Sequence, residues 1–181
     1  MKSTPHYEAG TENKIAVIFS CPGRYEEAAG RPAARMTGRN LEVLLEILNK
    51  KLGTDDFTRE KITITNSWDR VEYPAKTGRS EATAKELLSE KNLKRIIKEI
   101  TYVTKFIIVS GFKASIVIKK IIENDKISKN IKIVYIPHLG MMSLNLQIKS
   151  DVHNLPIKVG DPQATFKRLE KIAEIIINEL K

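Results

Sequence analysis

The chain has a single cysteine, Cys21. A lone thiol excludes a disulfide framework and any zinc or iron–sulfur site built from several thiolates. A reducing cytoplasm is therefore the expected compartment, and neither a metal nor another cofactor is expected. Long apolar runs are missing too. None approaches the roughly 20 residues that a membrane-spanning helix requires, and the opening MKSTPHYEAGTEN lacks a signal-peptide core. A membrane is thus not an expected partner. Repeats, low-complexity tracts and dividing linkers are absent as well. One domain over residues 14–181 is expected, behind a flexible polar tail at 1–13, and the protein is expected to be a monomer.

Negative charge is in short supply. The balance of 31 Lys and Arg against 22 Asp and Glu leaves a formal net charge of +9 and a pI near 9.6. Such an excess favours a polyanionic partner, nucleic acid being the commonest. Lysine outnumbers arginine, however, and solvated lysines on helix faces account for the same figure.

The patterning present is that of alternating strands and helices. Ile15–Phe19, Lys61–Asn66, Lys105–Ser110 and Ile131–Ile136 are short, β-branched apolar runs that read as buried strands. Between them lie helical stripes at Arg39–Leu52, at Ser80–Leu88 resuming over Asn92–Tyr102, and at Ala114–Glu123. A last helix begins near Pro162 with Phe166, Leu169, Ile172, Ala173, Ile176 and Leu180 as its stripe. Residues 144–161 read as irregular. The alternation predicts an α/β fold: a three-layer αβα sandwich around a central, mostly parallel four-stranded sheet. In such sheets ligands bind at the carboxyl edge.

Three features converge on that edge. The first is the loop from Ser20 to Gly38, holding Cys21, Pro22, Gly23, Arg24, Glu26, Glu27, Arg31, Ala33 and Arg35. The second is Asn66, and the third is His138. Singly each has an ordinary explanation: a turn, a strand-end former, a loop histidine. At the ends of neighbouring parallel strands they predict one crevice.

The first loop runs Phe19-Ser20-Cys21-Pro22-Gly23, Arg24, Glu26-Glu27, Gly30-Arg31-Pro32-Ala33, Gly38 and Leu41. It resembles, without a gap, the GEAPG-RxEDxxGRPFxGxxGxxL loop of the uracil-DNA glycosylase superfamily, family 4 branch. Thr65-Asn66, Val109-Ser110-Gly111 and His138-Leu139-Gly140-Met141-Met142-Ser143 are similar to that family's later motifs, so the resemblance spans Ile15 to about Ser143.

It implies a uracil-DNA glycosylase-like fold and a DNA partner, duplex or single-stranded, whose target base is flipped into a pocket. By resemblance, His138 donates to the departing base and Asn66 reads its edge, with Cys21, Pro22, Gly23 and Ala33 forming the base pocket. Arg24, Arg31, Arg35 and Lys113 would meet phosphates, while Leu139, Met141 and Met142 would wedge into the stack.

The chain departs from the pattern at chemical positions. Ser20 stands where the family has a water-orienting glutamate, and Ala33 where a phenylalanine stacks on uracil. Leu139 stands for a proline, and the cluster cysteines are missing. The expectation is therefore a DNA glycosylase for a damaged or modified, bulky base, with water placed by Glu26, Glu27, Asp69 or, weakly, Ser20. The alternative is an inactive relative that binds nucleic acid or free nucleotides.

Overall fold

The computed structural model describes residues 3–180. In chain order the elements are β1 (Tyr7–Glu8), β2 (Ile15–Phe19), α1 (Arg24–Ala29), α2 (Arg35–Leu52), β3 (Thr63–Asn66), α3 (Pro74–Thr77), α4 (Ala84–Leu87) and α5 (Glu90–Ile100). They continue with β4 (Phe106–Ser110), α6 (Phe112–Glu123), β5 (Lys132–Ile136), α7 (Met141–Gln147) and α8 (Ala164–Leu180). The sheet order is β1-β3-β2-β4-β5. β3, β2, β4 and β5 run parallel, and β1 pairs antiparallel with β3. The protein is α/β with a mostly parallel, five-stranded mixed sheet.

Each face of β2 packs against helices, which is why all five of its residues are buried. Successive side chains alternate across the sheet. Ile15, Val17 and Phe19 join Leu41, Leu44 and Leu48 of α2 and Leu169, Ile172 and Ile176 of α8 in one apolar cluster. Ala16 and Ile18 join Ile96 of α5 and Val117 and Ile121 of α6 in the other. These are the three layers that the alternation predicted.

Several local expectations are corrected. The fifth strand falls inside the segment read as a tail: Tyr7 pairs with Thr65, and the Asn66 N–H donates to the His6 carbonyl at 2.9 Å. The polar loop after β2 contains the helix α1, whose six residues are all outside the core. The helix expected from Ser80 starts instead behind Thr83. There Thr83 Oγ1 accepts from the Glu86 N–H, and the Glu86 carboxylate accepts from the Thr83 N–H, a capping box. Part of the stretch read as irregular is helical as α7, which packs on α8 through Leu144.

The order of connection reverses about β2: β3 lies on one side of it and β4 on the other. That switch point opens a crevice at the carboxyl ends of the strands. Phe19 pairs with Asn66 and Ser110 with Ile136, so the segments carrying Ser20, Asn66, Gly111 and His138 leave the sheet at one edge.

Candidate functional site

A cavity of about 170 Å³ occupies this crevice, lined by Phe19, Cys21, Gly23, Glu26, Ala33, Thr37, Asn66 and His138. It is smaller than the ~300–1,000 Å³ that hold drug-sized ligands. A single planar ring system suits it better than a whole nucleotide.

His138 enters from the β5 side. Its Nδ1 accepts from the Gly140 backbone N–H at 3.0 Å. A nitrogen that accepts cannot carry a proton, so the imidazole is the neutral tautomer with its proton on Nε2. Nε2 has no hydrogen-bond partner among the described residues, leaving a donor for a ligand. Burial lowers the His138 pKa, with the charge of Glu26 opposing, and so reinforces the neutral form. The ring stands edge-on to Phe19 with centroids 5.9 Å apart.

Gly111 lets the ring sit there. Its φ of 95° and ψ of 163° lie in a region essentially open only to glycine. A Cβ on it would meet His138 Cβ at 3.2 Å and Ser20 Oγ at 3.3 Å.

Asn66 enters from β3. The residue is 2% exposed, and its side-chain oxygen is buried without a partner among the described residues. Leaving such an acceptor unmet costs about 1–3 kcal/mol, a penalty that a ligand donor would remove. The backbone behind it is held firmly. Arg95 Nη2 donates to the Asn66 carbonyl at 3.0 Å while Nη1 pairs with Glu99 at 2.7 Å, and Thr65 Oγ1 donates to the same Glu99 oxygen at 2.6 Å.

The loop from β2 supplies the third wall. Glu26 is the only carboxylate lining the cavity among the described residues. Its Oε2 accepts from the Gly23 N–H and its Oε1 from the Ala34 N–H, each at 2.9 Å. A carboxylate has about four acceptor sites, so each oxygen keeps capacity for another donor. Ala33 adopts a positive φ of 46°. Arg59 holds it there: Nη1 donates to the Ala33 carbonyl at 3.2 Å and Nη2 to the Pro32 carbonyl at 2.6 Å, while a two-pronged pair with Glu8 fixes the guanidinium. Gly38 completes the closure, since a Cβ there would lie 2.2 Å from the Ala33 carbonyl oxygen. The Cys21 thiol donates to the Ser80 carbonyl at 3.3 Å, and burial pushes its pKa up to about 12. It is a neutral wall, not a nucleophile.

The structure thus brings together His138, Asn66, Cys21, Gly23 and Ala33, with Pro22 buried just behind. Ser20 adjoins this group at Gly111 without lining the cavity, whereas Glu27 and Asp69 stand apart. Ser20 is buried, and its Oγ has no hydrogen-bond partner among the described residues; its carbonyl accepts from the Trp68 N–H and Ser67 Oγ–H. Glu27 turns away to Tyr73 and Lys76. Asp69 lines a separate cavity of about 240 Å³ with Trp68 and Arg70.

Among the expected DNA contacts, Arg24 and Arg35 are exposed and stack on the Tyr25 ring at 4.9 and 4.2 Å. Arg31 is exposed beside another cavity near Arg59, and Lys113 is half-buried in the first turn of α6. Leu139 is fully buried and so is part of the core, while Met141 is half-buried, its sulfur 3.7 Å from Asn40 Nδ2 and 3.8 Å from Thr165 Oγ1. Met142 is 78% exposed. Sequence reasoning missed Phe112, 75% exposed beside Gly111, and the lining residues Phe19 and Thr37. The signal for Phe112 was an aromatic directly after a strand-ending Ser-Gly.

No family model matches this chain, and no curated protein matches it significantly.

Proposed function

We propose that the protein is a DNA glycosylase of the uracil-DNA glycosylase-like type, which takes a flipped base into the crevice and hydrolyses its N-glycosidic bond. The observation that carries this reading is one pair lining one ring-sized cavity: Asn66, whose buried side-chain oxygen has no partner among the described residues, and His138, whose Nε2–H has none either. Together they offer an acceptor for a ring or amino N–H and a donor for a carbonyl oxygen.

As the bond from the sugar to the base breaks, its electron pair moves onto the base. The His138 Nε2–H stabilises the charge that develops on the base carbonyl. Water held by the spare lone pairs of Glu26 adds to the sugar carbon and loses its proton to that carboxylate. Of the four candidates for placing water, Glu26 thereby takes that part rather than Glu27, Asp69 or Ser20. Ala33 adds only a methyl group where the resemblance expects an aromatic ring, which leaves room over the base and favours a modified or bulkier one.

Phe112 and Met142, both exposed beside the strand ends, would fill the gap left in the stack. Arg24 and Arg35 would meet phosphates. A second reading, a pocket that binds a base or nucleotide without cleaving it, is favoured by a single observation: both oxygens of Glu26 already hold backbone amides. Abasic-site formation on a panel of modified single and double strands separates the two. Cleavage supports the glycosylase; saturable binding with every strand intact supports the binder.

A further inference from the structure

The second feature of note lies on the α8 side of α7. A cavity of about 550 Å³ is bounded by α7, by residues 157–161 and by the first turns of α8. Into it projects Arg168, a charged side chain only 9% exposed. Its Nε donates to the Ile148 carbonyl at 3.0 Å. Its two Nη groups have no hydrogen bond or ion pair among the described residues. The acid within the cavity wall, Asp161, is already committed: Oδ2 pairs with Lys167 at 2.7 Å and Oδ1 accepts from the Gln163 N–H at 2.8 Å.

Besides its hydrogen bond to Lys167, the Asp161 carboxylate feels the Arg168 charge, which helps to hold its pKa below the ordinary value, but it makes no hydrogen bond or ion pair to the guanidinium. Leaving the Nη donors of a buried guanidinium unmet is costly. The surroundings add positive potential. Lys149 and Lys158 stand exposed in the cavity wall, and Ala164 and Thr165 place the positive end of the 17-residue α8 against it. Ile157 and Val159 give the same cavity an apolar side. Its volume falls in the range of small-molecule sites, ~300–1,000 Å³.

We propose that this cavity binds a small phosphate monoester. The free edge of the Arg168 guanidinium takes two phosphate oxygens as a fork, Lys149 and Lys158 balance the remaining charge, and the carbon skeleton lies against Ile157 and Val159. The assignment is independent of the base pocket, since it shares none of that pocket's residues.

Nitrogen-detected NMR of the whole protein tests it at constant ionic strength. The probes are inorganic phosphate, a nucleoside 5′-monophosphate, the matching unphosphorylated nucleoside and a short single-stranded oligonucleotide. Saturable shifts of the Arg168 Nε–H and the Thr165 amide are expected with both small phosphates and not with the nucleoside. Because Arg168→Gln can fail to fold, the exposed pair is also removed: Lys149→Ala with Lys158→Ala should weaken phosphate binding about tenfold, with the unfolding temperature unchanged. The proposal is overturned by an absence of saturable shifts with both small phosphates, including the case where only the oligonucleotide produces them. It is equally overturned by matching shifts from the nucleoside alone, or by unchanged affinity in the lysine double variant.

Discussion

The Gly140 N–H donates to His138 Nδ1 at 3.0 Å. This one bond fixes which ring nitrogen carries the proton, and so makes Nε2 a donor rather than an acceptor. It exists only while the imidazole is neutral.

The first prediction concerns pH. Burial depresses the folded-state pKa of His138 below its ordinary value of 6.5. The unfolded chain therefore binds the proton more readily, and stability rises with pH across the window between the two values. His138 contributes fully above about pH 6.5, and its contribution is lost as pH falls through the lower, folded-state pKa. Long-range nitrogen–proton NMR at pH 7.5 should show a protonated Nε2 and a bare Nδ1. The reverse tautomer would remove the donor from the pocket.

Asn66 offers a test in which stability and function part company. Its side-chain oxygen is buried and unpaired among the described residues, so Asn66→Ala removes an unmet polar group along with a few packing contacts. We expect a stability change under ~1 kcal/mol together with loss of base binding. Denaturant unfolding and a base-binding titration on the same variant check it. A large loss of stability would mark Asn66 as a structural residue.

Gly111→Ala should act on His138 without touching it chemically. The substitution forces an alanine into a glycine-only conformation, a cost of order 1–3 kcal/mol. Its Cβ also presses on His138 Cβ and Ser20 Oγ. Activity should fall more than stability does. A crystal structure of the variant with the His138 ring unmoved would contradict this account of how the ring is seated.

Arg59→Ala removes the clamp on the Pro32 and Ala33 carbonyls and leaves Glu8 without its partner. We expect about 2–3 kcal/mol of destabilisation, below the range for fully buried pairs because solvent reaches Glu8. Amide exchange at Ala33 and Ala34 should speed up more than exchange in β2. Uniform acceleration across the sheet would mean that Arg59 supports the whole fold and not the loop.

These residues also show what a sequence can and cannot announce. β2 was legible because a strand buried on both faces must be apolar at every position, and IAVIF is. Asn66 and His138 were legible because strand ends are marked by the change from apolar to polar. β1 was not: two residues have no period to read, and Tyr7 and Glu8 are only half-buried. α1 was hidden because RYEEAA buries nothing. Arg59 gave no signal, since its partners Glu8, Pro32 and Ala33 are brought to it only by the folded sheet. Glu26 stood in plain view beside Glu27. Only the folded loop shows that the first faces the cavity and the second faces Lys76.

The central claim is that Asn66, His138 and Glu26 together excise a base. The most direct measurement is mass spectrometry of free base released from modified oligonucleotides, run with the native protein, His138→Ala and Glu26→Gln side by side. The account predicts release of at least one modified base by the native protein, with each substitution slowing release at least tenfold, about 1.4 kcal/mol of barrier. No base released from any strand, or release unaltered by both substitutions, would contradict it.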